Sequence, residues 1–534
     1  MRNSLLWLLL FVLIFTGSAT AADPANDPVW EPIAPGIEYR EFHLADPNNV
    51  FVARMDRTNS SVTLESSIAQ GKLSEGLESV RGMAARYNQA LNYWGGSSDP
   101  PTWGIRNQVV VGINGSYFDY ETGIPQGGQV QSGWYTKRYD DYGGWSGFAW
   151  KLDRSAFIGE CVYHRPEKQL VSYPATAATQ QIAGVNTPRG TNQLILFTPQ
   201  YNSQTGTDDS GVEVLVEMVR PTMILPTPNY ASGVVRQISV GEGNSLIPFN
   251  AIVLSASGSA AQTLLENVQL GSEVHVSQEI TTCPANDTHD WTKTYASIQG
   301  AFFFLKAGQI REFEDPGATE RHPRTAIAYN DEYIFFIVVD GRHAKHSIGM
   351  TINQLALFTR ETLRATWGVA QDGGGSSTMV IHGQVVNNTF CNIHSCVNTY
   401  FPLIANTSGQ SAHTTEKDIT GPDVIFERWV ANGMLMVVVH SDPPSTAFQV
   451  GGLVTTINDT EVRLGPGTNY AGFTIMPVGT HGSIMEQVNG LQGVLAKGTY
   501  WWYVDFEGVS GWVPEGALAN QGLDIGLLDW SINR

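Results

Sequence analysis

The sequence predicts an α+β protein in which a mixed β-sheet domain with crossover helices is followed by a small all-β barrel. Two stretches carry this prediction. Residues 324–388 read as strand, helix and strand in succession, and residues 450–520 read as short strands separated by turns. The chain of 534 residues is long enough for two to four domains, since one domain takes roughly 150 residues.

The N-terminus has the pattern of a secretory signal. One arginine precedes the apolar run Leu5–Phe15, and the small residues Ala19-Thr20-Ala21 make an A-x-A cleavage site. The alternative is a membrane anchor, but a spanning helix needs about 20 apolar residues and this run is shorter. We therefore predict a signal peptide at residues 1–22, a mature chain without a membrane span, and a secreted, extracellular or cell-envelope location.

Acidic residues outnumber basic ones, 50 to 31, which gives a formal net charge of −19. A surface of that sign repels the phosphate backbone of nucleic acids, so a nucleic-acid partner is not expected. The net charge still allows a local cationic pocket that binds an anionic ligand.

Four cysteines, an even number in an exported chain, favour disulfides. Cys391 and Cys396 would close a short loop, which leaves Cys161 and Cys283 as the long-range pair. The alternative is a metal site that uses His394, but one C-x4-C without a matching second pair is a weak zinc signal.

Strands and one helix are predicted before the central block. The stretches "VFVARM" and "SVTLESS" read as strands. Residues 76–94 place apolar side chains at helical spacing and predict an early helix. From Trp103 to about Gln299 the sequence reads as short strands and turns.

The central block begins with a predicted β-hairpin. The strands Thr325–Tyr329 and Tyr333–Val339 flank a polar turn, and the second strand is continuously apolar, which indicates burial on both faces. Counting back from the turn places Arg324 opposite residues near Val338.

A capped helix is predicted after the hairpin. Thr351 and Gln354 fit a capping box, apolar residues from Ile352 to Trp367 line one face, and Gly368 can end the helix. The strand "VAQ" follows. A helical crossover joins parallel strands, so this strand should run parallel to the second strand of the hairpin.

Two carboxylates and an arginine should therefore converge. Asp340 follows the first parallel strand and Asp372 follows the second. Both then lie at the carboxyl edge of the sheet, where ligands bind in such folds. The hairpin register adds Arg324 to the same edge.

The stretch "QDGGGSST", residues 371–378, places three glycines between two predicted strands. Consecutive glycines let successive backbone N–H groups form a concave nest for an anion, and the hydroxyls that follow add donors. Arg324 and Arg342 can add forked guanidinium groups. The alternative is a tight turn without a ligand, but Asp372 directly before the glycines favours a site.

Four blocks of sequence resemble the phosphodiester glycosidase family: "VVVGINGSYFDYETGIPQGG", "RHPRTAIA", "VVDGR…SIGMTINQLA" and "DGGGSSTMVIHG". They occur in the family's order between Val109 and Gly383. The resemblance implies a domain at residues 23–410, with core motifs at 109–405. The polar stretches that follow predict a linker at 411–449.

The resemblance also implies the site residues. The catalytic candidates are Asp372, Asp340 and Arg324, and the candidates that bind the substrate or its phosphate are Asn114, Arg342, Gly373, Gly374, Gly375, Ser376, Ser377, Thr378, Tyr117, Asp119 and His322.

The family implies an exported hydrolase that cleaves the glycosidic C–O bond of sugar-1-phosphodiesters, such as those of N-acetylglucosamine, and releases the sugar and a phosphomonoester. The reaction builds positive charge on the sugar and negative charge on the departing phosphate. The second pKa of that phosphate is about 6, so it needs cations and N–H donors more than a proton. One aspartate then activates water or attacks C1, and Asp372 and Asp340 remain alternatives for this role.

Two other functions stay open. One is a non-catalytic cell-wall or glycan-binding protein that keeps the fold. The other is a phosphodiesterase that cuts P–O, which usually requires a metal cluster of carboxylates or histidines. His343 and His346 read as solvent-facing loop residues, so no cofactor or metal is predicted, while a structural calcium stays open.

Residues 450–520 resemble a bacterial Src-homology-3-type barrel, and residues 521–534 form a C-terminal tail. The marks are "GPG" at 465–467, "WW" at 501–502 and "GWV" at 511–513. Such modules bind cell-wall peptides or glycans, so the expected partners are the cell wall and a sugar-1-phosphodiester carried by an envelope glycopolymer. The alternative is a folded spacer whose tryptophans belong to its core.

Overall fold

The computed structural model describes residues 29–73, 76–94, 102–139, 146–151, 153–219, 230–283, 290–291, 293–389, 400–403 and 425–521. The predicted signal peptide, the predicted Cys391–Cys396 pair and nearly all of the C-terminal tail lie outside these ranges. Within them the chain is mostly β-strand with a few short helices, which is compatible with the predicted α+β class. No helix in the described ranges is both long and apolar enough to cross a membrane.

The helices of the described residues are short. The α-helices are Val80–Tyr87, Gly258–Asn267, Pro316–Thr319 and Ile352–Glu361, and the 3-10 helices are Ala69–Gly71, Pro166–Lys168, Gly374–Ser376 and Glu515–Ala517.

The hairpin predicted at Arg324 is confirmed and lies inside an eight-stranded sheet. Arg324 pairs with Val339 and Thr325 with Val338, so the predicted register is right to within one residue. From edge to edge the strands of this first sheet are Glu31–Ala34, Ile37–Leu44, Asn48–Asp56, Tyr333–Val339, Arg324–Tyr329, Trp367–Ala370, Leu305–Lys306 and Gln309–Ile310.

The strands that precede Asp340 and Asp372 run in the same direction, as predicted, but they are not neighbours. The strand Arg324–Tyr329 lies between them and is antiparallel to both. The carboxyl ends of the two parallel strands therefore reach the same edge of the sheet.

The crossover helix is shorter than predicted. Thr351 and Gln354 do form the capping box, each side chain accepting from the other's backbone N–H. The prediction that Gly368 ends the helix is wrong. The helix ends at Glu361, the chain turns at Arg364 with φ of +57°, and Gly368 already lies in the next strand.

A second sheet contains a strand from the predicted linker. The prediction of a linker at 411–449 is wrong for Asn432–Ser441, because this apolar strand pairs on both sides with sheet strands. In order, the strands of the second sheet are Gln384–Val385, Met379–Ile381, Thr102–Asn114, Asn432–Ser441 and Val62–Ile68, and Leu91–Trp94 also pairs with Thr102–Asn114.

The early helix is confirmed for Val80–Tyr87 alone. Residues Leu91–Trp94, predicted to continue it, form a strand instead. The two sheets share one core, to which the first contributes Ile327 and Phe336 and the second contributes Met436, all fully buried.

The long-range disulfide between Cys161 and Cys283 is confirmed, with Cα atoms 5.5 Å apart. It lies beside a two-stranded ribbon of Val162–Tyr163 and Thr281–Thr282. A five-stranded sheet next to it consists, in order, of Ala156–Gly159, Gly147–Lys151, Thr294–Ile298, Gln129–Gln131 and Trp134–Lys137.

A further eight-stranded sheet has its own core. The helix Gly258–Asn267 packs on this sheet through the fully buried Leu264. In order, its strands are Ala178–Gln181, Gln169–Tyr173, Glu273–Gln278, Ala231–Val240, Gly211–Met218, Ala251–Ser257, Leu194–Phe197 and Gly184–Val185.

Residues 453–520 form an all-β unit that packs on the rest of the chain. Trp501, Trp502 and Trp512 are all buried, and Trp512 contacts Phe249 with ring centroids 5.6 Å apart. This agrees with the alternative that the tryptophans are packing residues. In order, the strands are Gly472–Met476, Thr460–Arg463, Val509–Pro514, Thr499–Phe506, His481–Ile484, Leu453–Thr456 and Leu518–Asn520, with Val494–Ala496 beside Thr499–Phe506.

Two short strands near the C-terminal end of the central block form a separate ribbon. It pairs Tyr400–Leu403 with Ile425–Arg428 in antiparallel fashion. The ribbon brings Arg428 next to the turn Gly374–Ser376.

Candidate active site

Asp372 is a buried carboxylate at the predicted edge of the first sheet. Its Oδ2 accepts a hydrogen bond from the Ser376 hydroxyl at 2.6 Å. Burial raises the pKa of Asp372 to about 6, while hydrogen bonds from Ser376 and the Gly373 N–H and the charge of Arg428 oppose the rise. The carboxylate is therefore mostly ionised at neutral pH and gains a proton under mildly acidic conditions.

Asn114 holds the loop that carries Asp372. Its Nδ2 donates to the Asp372 carbonyl oxygen at 2.8 Å, and its Oδ1 accepts from Thr325 Oγ1 at 2.7 Å and from Thr378 N at 3.1 Å. The side chain is fully buried at the end of its strand. Asn114 thus ties the two sheets together beneath Asp372 and positions that residue from inside the protein.

Arg324 brings a fixed positive charge to the same edge. Its Nε and Nη2 donate to the carbonyl oxygens of Met350 and Glu320, each at 2.8 Å. Burial lowers the pKa of Arg324 to about 10, so the guanidinium stays protonated at neutral pH. Two carbonyl anchors fix the plane of the guanidinium before any ligand arrives.

Tyr117 lies within electrostatic reach of both Asp372 and Arg324. Burial raises the pKa of its phenol, Asp372 raises it further, and Arg324 lowers it. The phenol is therefore neutral at ordinary pH and can donate a hydrogen bond. Tyr117 is partly exposed, so its ring borders both the site and solvent.

Arg342 and His322 lie close to each other and within electrostatic reach of Arg324. Arg342 Nη2 lies 3.4 Å from His322 Nδ1. Burial lowers the pKa of His322, and the charges of Arg324 and Arg342 lower it further, so this ring is mostly neutral at pH 7. The backbone φ of Arg342 is +62°, an uncommon conformation for a residue with a side chain and one that recurs at functional sites.

Arg428 joins this cluster although no sequence motif pointed to it. Its Nη1 donates to Ser376 Oγ at 3.1 Å and to Tyr120 Oη at 3.2 Å. Its charge also lowers the pKa of Asp372. The predicted linker at 411–449 includes this residue, and no motif marks the arginine as functional.

The three glycines lie in a tight turn that uses some of its N–H groups internally. Gly374 N donates to Pro323 O at 2.9 Å, Ser376 N to Gly373 O at 3.2 Å, and Ser377 N to Gly374 O at 3.3 Å. Of the three glycine amides, that of Gly374 therefore already has a partner within the protein, and the nest for an anion stays a prediction. The glycine at 373 instead permits a close approach, because a Cβ there would lie 2.8 Å from the Pro323 carbonyl oxygen.

The three hydroxyls after the glycines have different surroundings. Ser376 contacts Asp372 and Arg428. The hydroxyl oxygens of Ser377 and Thr378 are buried and have no hydrogen-bond partner among the described residues. Both hydroxyls are therefore shielded from solvent, and their contact with the phosphate stays a prediction.

Asp340 lies at the same sheet edge in a different environment. Its Oδ1 accepts from Asn387 Nδ2 at 3.0 Å and its Oδ2 from Asn388 N at 3.1 Å. Burial raises the pKa of Asp340 to about 7, and Glu41 adds to the rise. Among the described residues, the pKa of Asp340 is not shifted by any arginine or by Asp372.

Asp119 caps a turn near Tyr117. Its Oδ1 accepts from the backbone N–H groups of Glu121 and Thr122 and from the Thr122 hydroxyl. These hydrogen bonds lower the pKa of the exposed Asp119 carboxyl. Asp119 therefore organises the loop that carries Tyr117.

His343 and His346 are exposed, as predicted. In the ranges that the structure describes, no three His, Cys, Asp or Glu side chains are grouped so that they could hold a metal ion.

Residues 231–401 match the family model described as phosphodiester glycosidase. This match confirms the resemblance that the sequence motifs predicted. The match contains Arg324 and Asp372, whereas Asn114 and Arg428 lie outside it. The candidate site thus joins residues inside the matched phosphodiester glycosidase segment to residues before and after it.

Three solved structures share a distant likeness with this chain. A hypothetical protein from Synechocystis is 13% identical with a TM-score of 0.44, and the alignment covers 78% of this chain but only 64% of that protein. A Burkholderia pseudomallei protein whose name calls it exported is 17% identical with a TM-score of 0.42, over 73% of this chain and 74% of its own.

The third is the catalytic domain of zebrafish N-acetylglucosamine-1-phosphodiester alpha-N-acetylglucosaminidase, auto-inhibited by its pro-peptide. It is 13% identical with a TM-score of 0.32, over 78% of this chain and 85% of its own. No curated protein matches the chain.

Proposed function

We propose that the protein hydrolyses the glycosidic C–O bond of sugar-1-phosphodiesters and releases the sugar and a phosphomonoester. The observation that carries the proposal is the placement of the buried Asp372 carboxylate next to Arg428. Asp372 and Arg324 are also both within electrostatic reach of Tyr117. The match of residues 231–401 to the phosphodiester glycosidase family supports this chemistry.

The arginines suit the departing phosphate. Arg342 is close enough to Arg324 for its charge to lower the pKa of Arg324, so the two guanidinium groups form a positive patch. A phosphodiester carries one negative charge, and a second develops on the phosphate as the C–O bond breaks. Guanidinium groups held in place before the reaction stabilise that developing charge without reorganisation.

Asp372 suits the role of general base or nucleophile. Ser376 donates to its Oδ2 and Arg428 stabilises its charge, so the ionised form predominates at neutral pH. In that form the carboxylate can take a proton from water or attack C1. Asp340 is less suited, because Asn387 and Asn388 already occupy its two oxygens.

The substrate class and location are extensions of this proposal. We infer an exported enzyme that acts on N-acetylglucosamine-1-phosphodiesters or related envelope glycopolymers. The Cys161–Cys283 disulfide supports an oxidising compartment. Cell-wall binding by the C-terminal unit would need a surface other than Trp501, Trp502 and Trp512, since all three are buried.

The test is hydrolysis of N-acetylglucosamine-1-phosphate methyl diester in oxygen-18 water, followed by mass spectrometry. We expect the label in the sugar, and a loss of about 10²–10⁴-fold in rate for Asp372→Asn. Label in the phosphate would show P–O cleavage and favour the phosphodiesterase, in which case loss of activity with a chelator would identify metal dependence. No turnover of several sugar-1-phosphodiesters would favour the non-catalytic glycan-binding protein.

A further inference from the structure

A cavity lies where the C-terminal β-unit meets the rest of the chain. Its volume is about 130 Å³. The strand residue Trp134 and the helix residue Tyr87 form part of its wall, and the C-terminal unit closes it with Tyr470 and Ala471. The cavity shares no lining residue with the arginine cluster around Asp372.

The size of this cavity, named here the junction cavity, suits a small organic molecule. One buried water needs about 10–15 Å³ on the same scale, so the junction cavity has room for roughly ten waters. A single sugar ring occupies a comparable space. The cavity is also open to solvent on one side, so a ligand could reach it.

Two acceptor atoms at the junction cavity have no protein partner. The side-chain oxygens of Gln200 and Asn469 are buried and accept no hydrogen bond from the described residues. Both residues line the cavity, one from each side of the junction. Buried acceptors normally have donors, so a bound molecule that carries hydroxyl or amide donors would satisfy them.

Four aromatic residues line the junction cavity and indicate which kind of ligand would fit it. Trp134, Tyr87, Tyr470 and Phe249 contribute aromatic side chains to its lining. Aromatic surfaces with a few converging polar groups are the usual lining of small-molecule sites. A sugar matches such a lining, because its ring has apolar C–H faces and a rim of hydroxyl donors.

Two cationic side chains, Lys72 and Arg86, line the junction cavity. Arg86 Nη2 is paired with Glu78 Oε2 at 2.8 Å, so its charge is balanced within the protein. Ser132, another lining residue, donates to the fully buried Glu65 at 3.2 Å. These polar groups add hydrogen-bonding partners for sugar hydroxyls beside the aromatic side chains.

We propose that the junction cavity binds one sugar unit, such as a hexose or an N-acetylhexosamine at the end of a glycan. The site would anchor a glycan through the contact between the C-terminal unit and the sheets. This binding does not depend on the proposed hydrolysis, since it uses none of the residues around Asp372.

The experiment is calorimetric titration of the full-length mature chain with N-acetylglucosamine, its β-1,4-linked disaccharide and glucose. Ala471 is exposed at the cavity rim, so Ala471→Trp should fill the cavity without disturbing the core. Gln200→Leu removes one of the acceptors. The matched controls are Ala447→Trp and Gln269→Leu, which change exposed residues away from the cavity.

We expect at least a tenfold loss of affinity for one of these sugars in both cavity variants and no change in the controls or in Asp372→Asn. Thermal unfolding of each variant verifies that the fold is kept. Sugar binding that survives both cavity variants would place the ligand elsewhere and overturn the proposal. Absence of binding of all three sugars at millimolar concentration would overturn it as well.

Discussion

The Arg428 guanidinium donates to the Ser376 hydroxyl at 3.1 Å, and that hydroxyl in turn donates to Asp372 at 2.6 Å. A residue more than 50 positions away in sequence therefore orients the proton of the serine toward the carboxylate. The pair holds Asp372 in one orientation and stabilises its charge, which makes Arg428 a positioning residue for the proposed reaction.

Arg428→Gln should lower kcat/KM by about 10–100-fold, because one charged donor next to the reacting groups is lost. It should also raise the pKa of Asp372, since Arg428 lowers that pKa in the folded protein. The acid limb of the pH profile would then move to higher pH. The measurement is kcat/KM from pH 4.5 to 8.5 for wild type and variant.

The matched control for Arg428→Gln is Arg360→Gln, which changes an arginine that pairs with Glu361 on the crossover helix. It should leave both the rate and the pH profile unchanged. Arg428→Lys should restore part of the rate, because it keeps the charge. A pH profile that stays in place in Arg428→Gln would contradict the assigned role.

Wild-type activity should fall as the pH drops through about 6. The proposed base must be ionised, and burial raises the pKa of Asp372 to about 6, so each unit below this value costs about tenfold in kcat/KM. The measurement is the kcat/KM profile with a sugar-1-phosphodiester. Activity that rises below pH 6 would show instead that the protonated carboxyl is the active form.

The hairpin and the convergence of Asp340, Asp372 and Arg324 at one edge could be read from the sequence. Apolar runs, one polar turn and a capped helix fix the directions of these strands locally. The strand order could not be read, because the insertion of Arg324–Tyr329 between the parallel strands depends on pairing across the chain.

The difference between Asp340 and Asp372 is likewise invisible in sequence. Both follow apolar strands. Asn387 and Asn388 donate to Asp340, whereas the charge of Arg428 acts on Asp372. These partners lie far along the chain, so only the tertiary fold assigns them. Arg428 was missed for the same reason, since it lies in the segment 411–449 that was predicted to be a linker.

Asp340→Asn should change stability more than activity. Folding raises the pKa of Asp340 to about 7, from about 3.9 in an unfolded chain. The stabilising contribution is therefore complete below about pH 4 and is lost as the pH rises through 7, because the folded state binds the proton more tightly. The variant lacks this loss, so its stability relative to wild type should increase between pH 4 and 7.

The measurement for Asp340→Asn is the thermal midpoint of both proteins at several pH values in that range, together with the rate at pH 7. We expect a rate within about threefold of wild type, because among the described residues its carboxylate accepts from Asn387 and Asn388 and not from an arginine. A loss of 100-fold or more without a change in the pH dependence of stability would instead make Asp340 the catalytic carboxylate.

Gly374→Ala should weaken substrate binding as well as the fold. Gly374 has φ of +62°, and a Cβ there would lie 3.1 Å from Arg342 Nη2. The left-handed conformation costs a residue with a Cβ about 1–2 kcal/mol. Gly479 has φ of +82°, and a Cβ added there would meet nothing within 4 Å, so Gly479→Ala is a matched control that carries the strain alone.

Both glycine variants should therefore lose a similar free energy of unfolding in urea titrations. Only Gly374→Ala should also raise KM for the sugar-1-phosphodiester, by about tenfold, because its methyl group displaces a guanidinium proposed to hold the phosphate. Equal KM values in the two variants would mean that Arg342 does not contact the substrate. A rise in KM for Gly374→Ala alone would place the phosphate beside the glycine turn, held by Arg342 and not by the backbone N–H groups that the turn has already used.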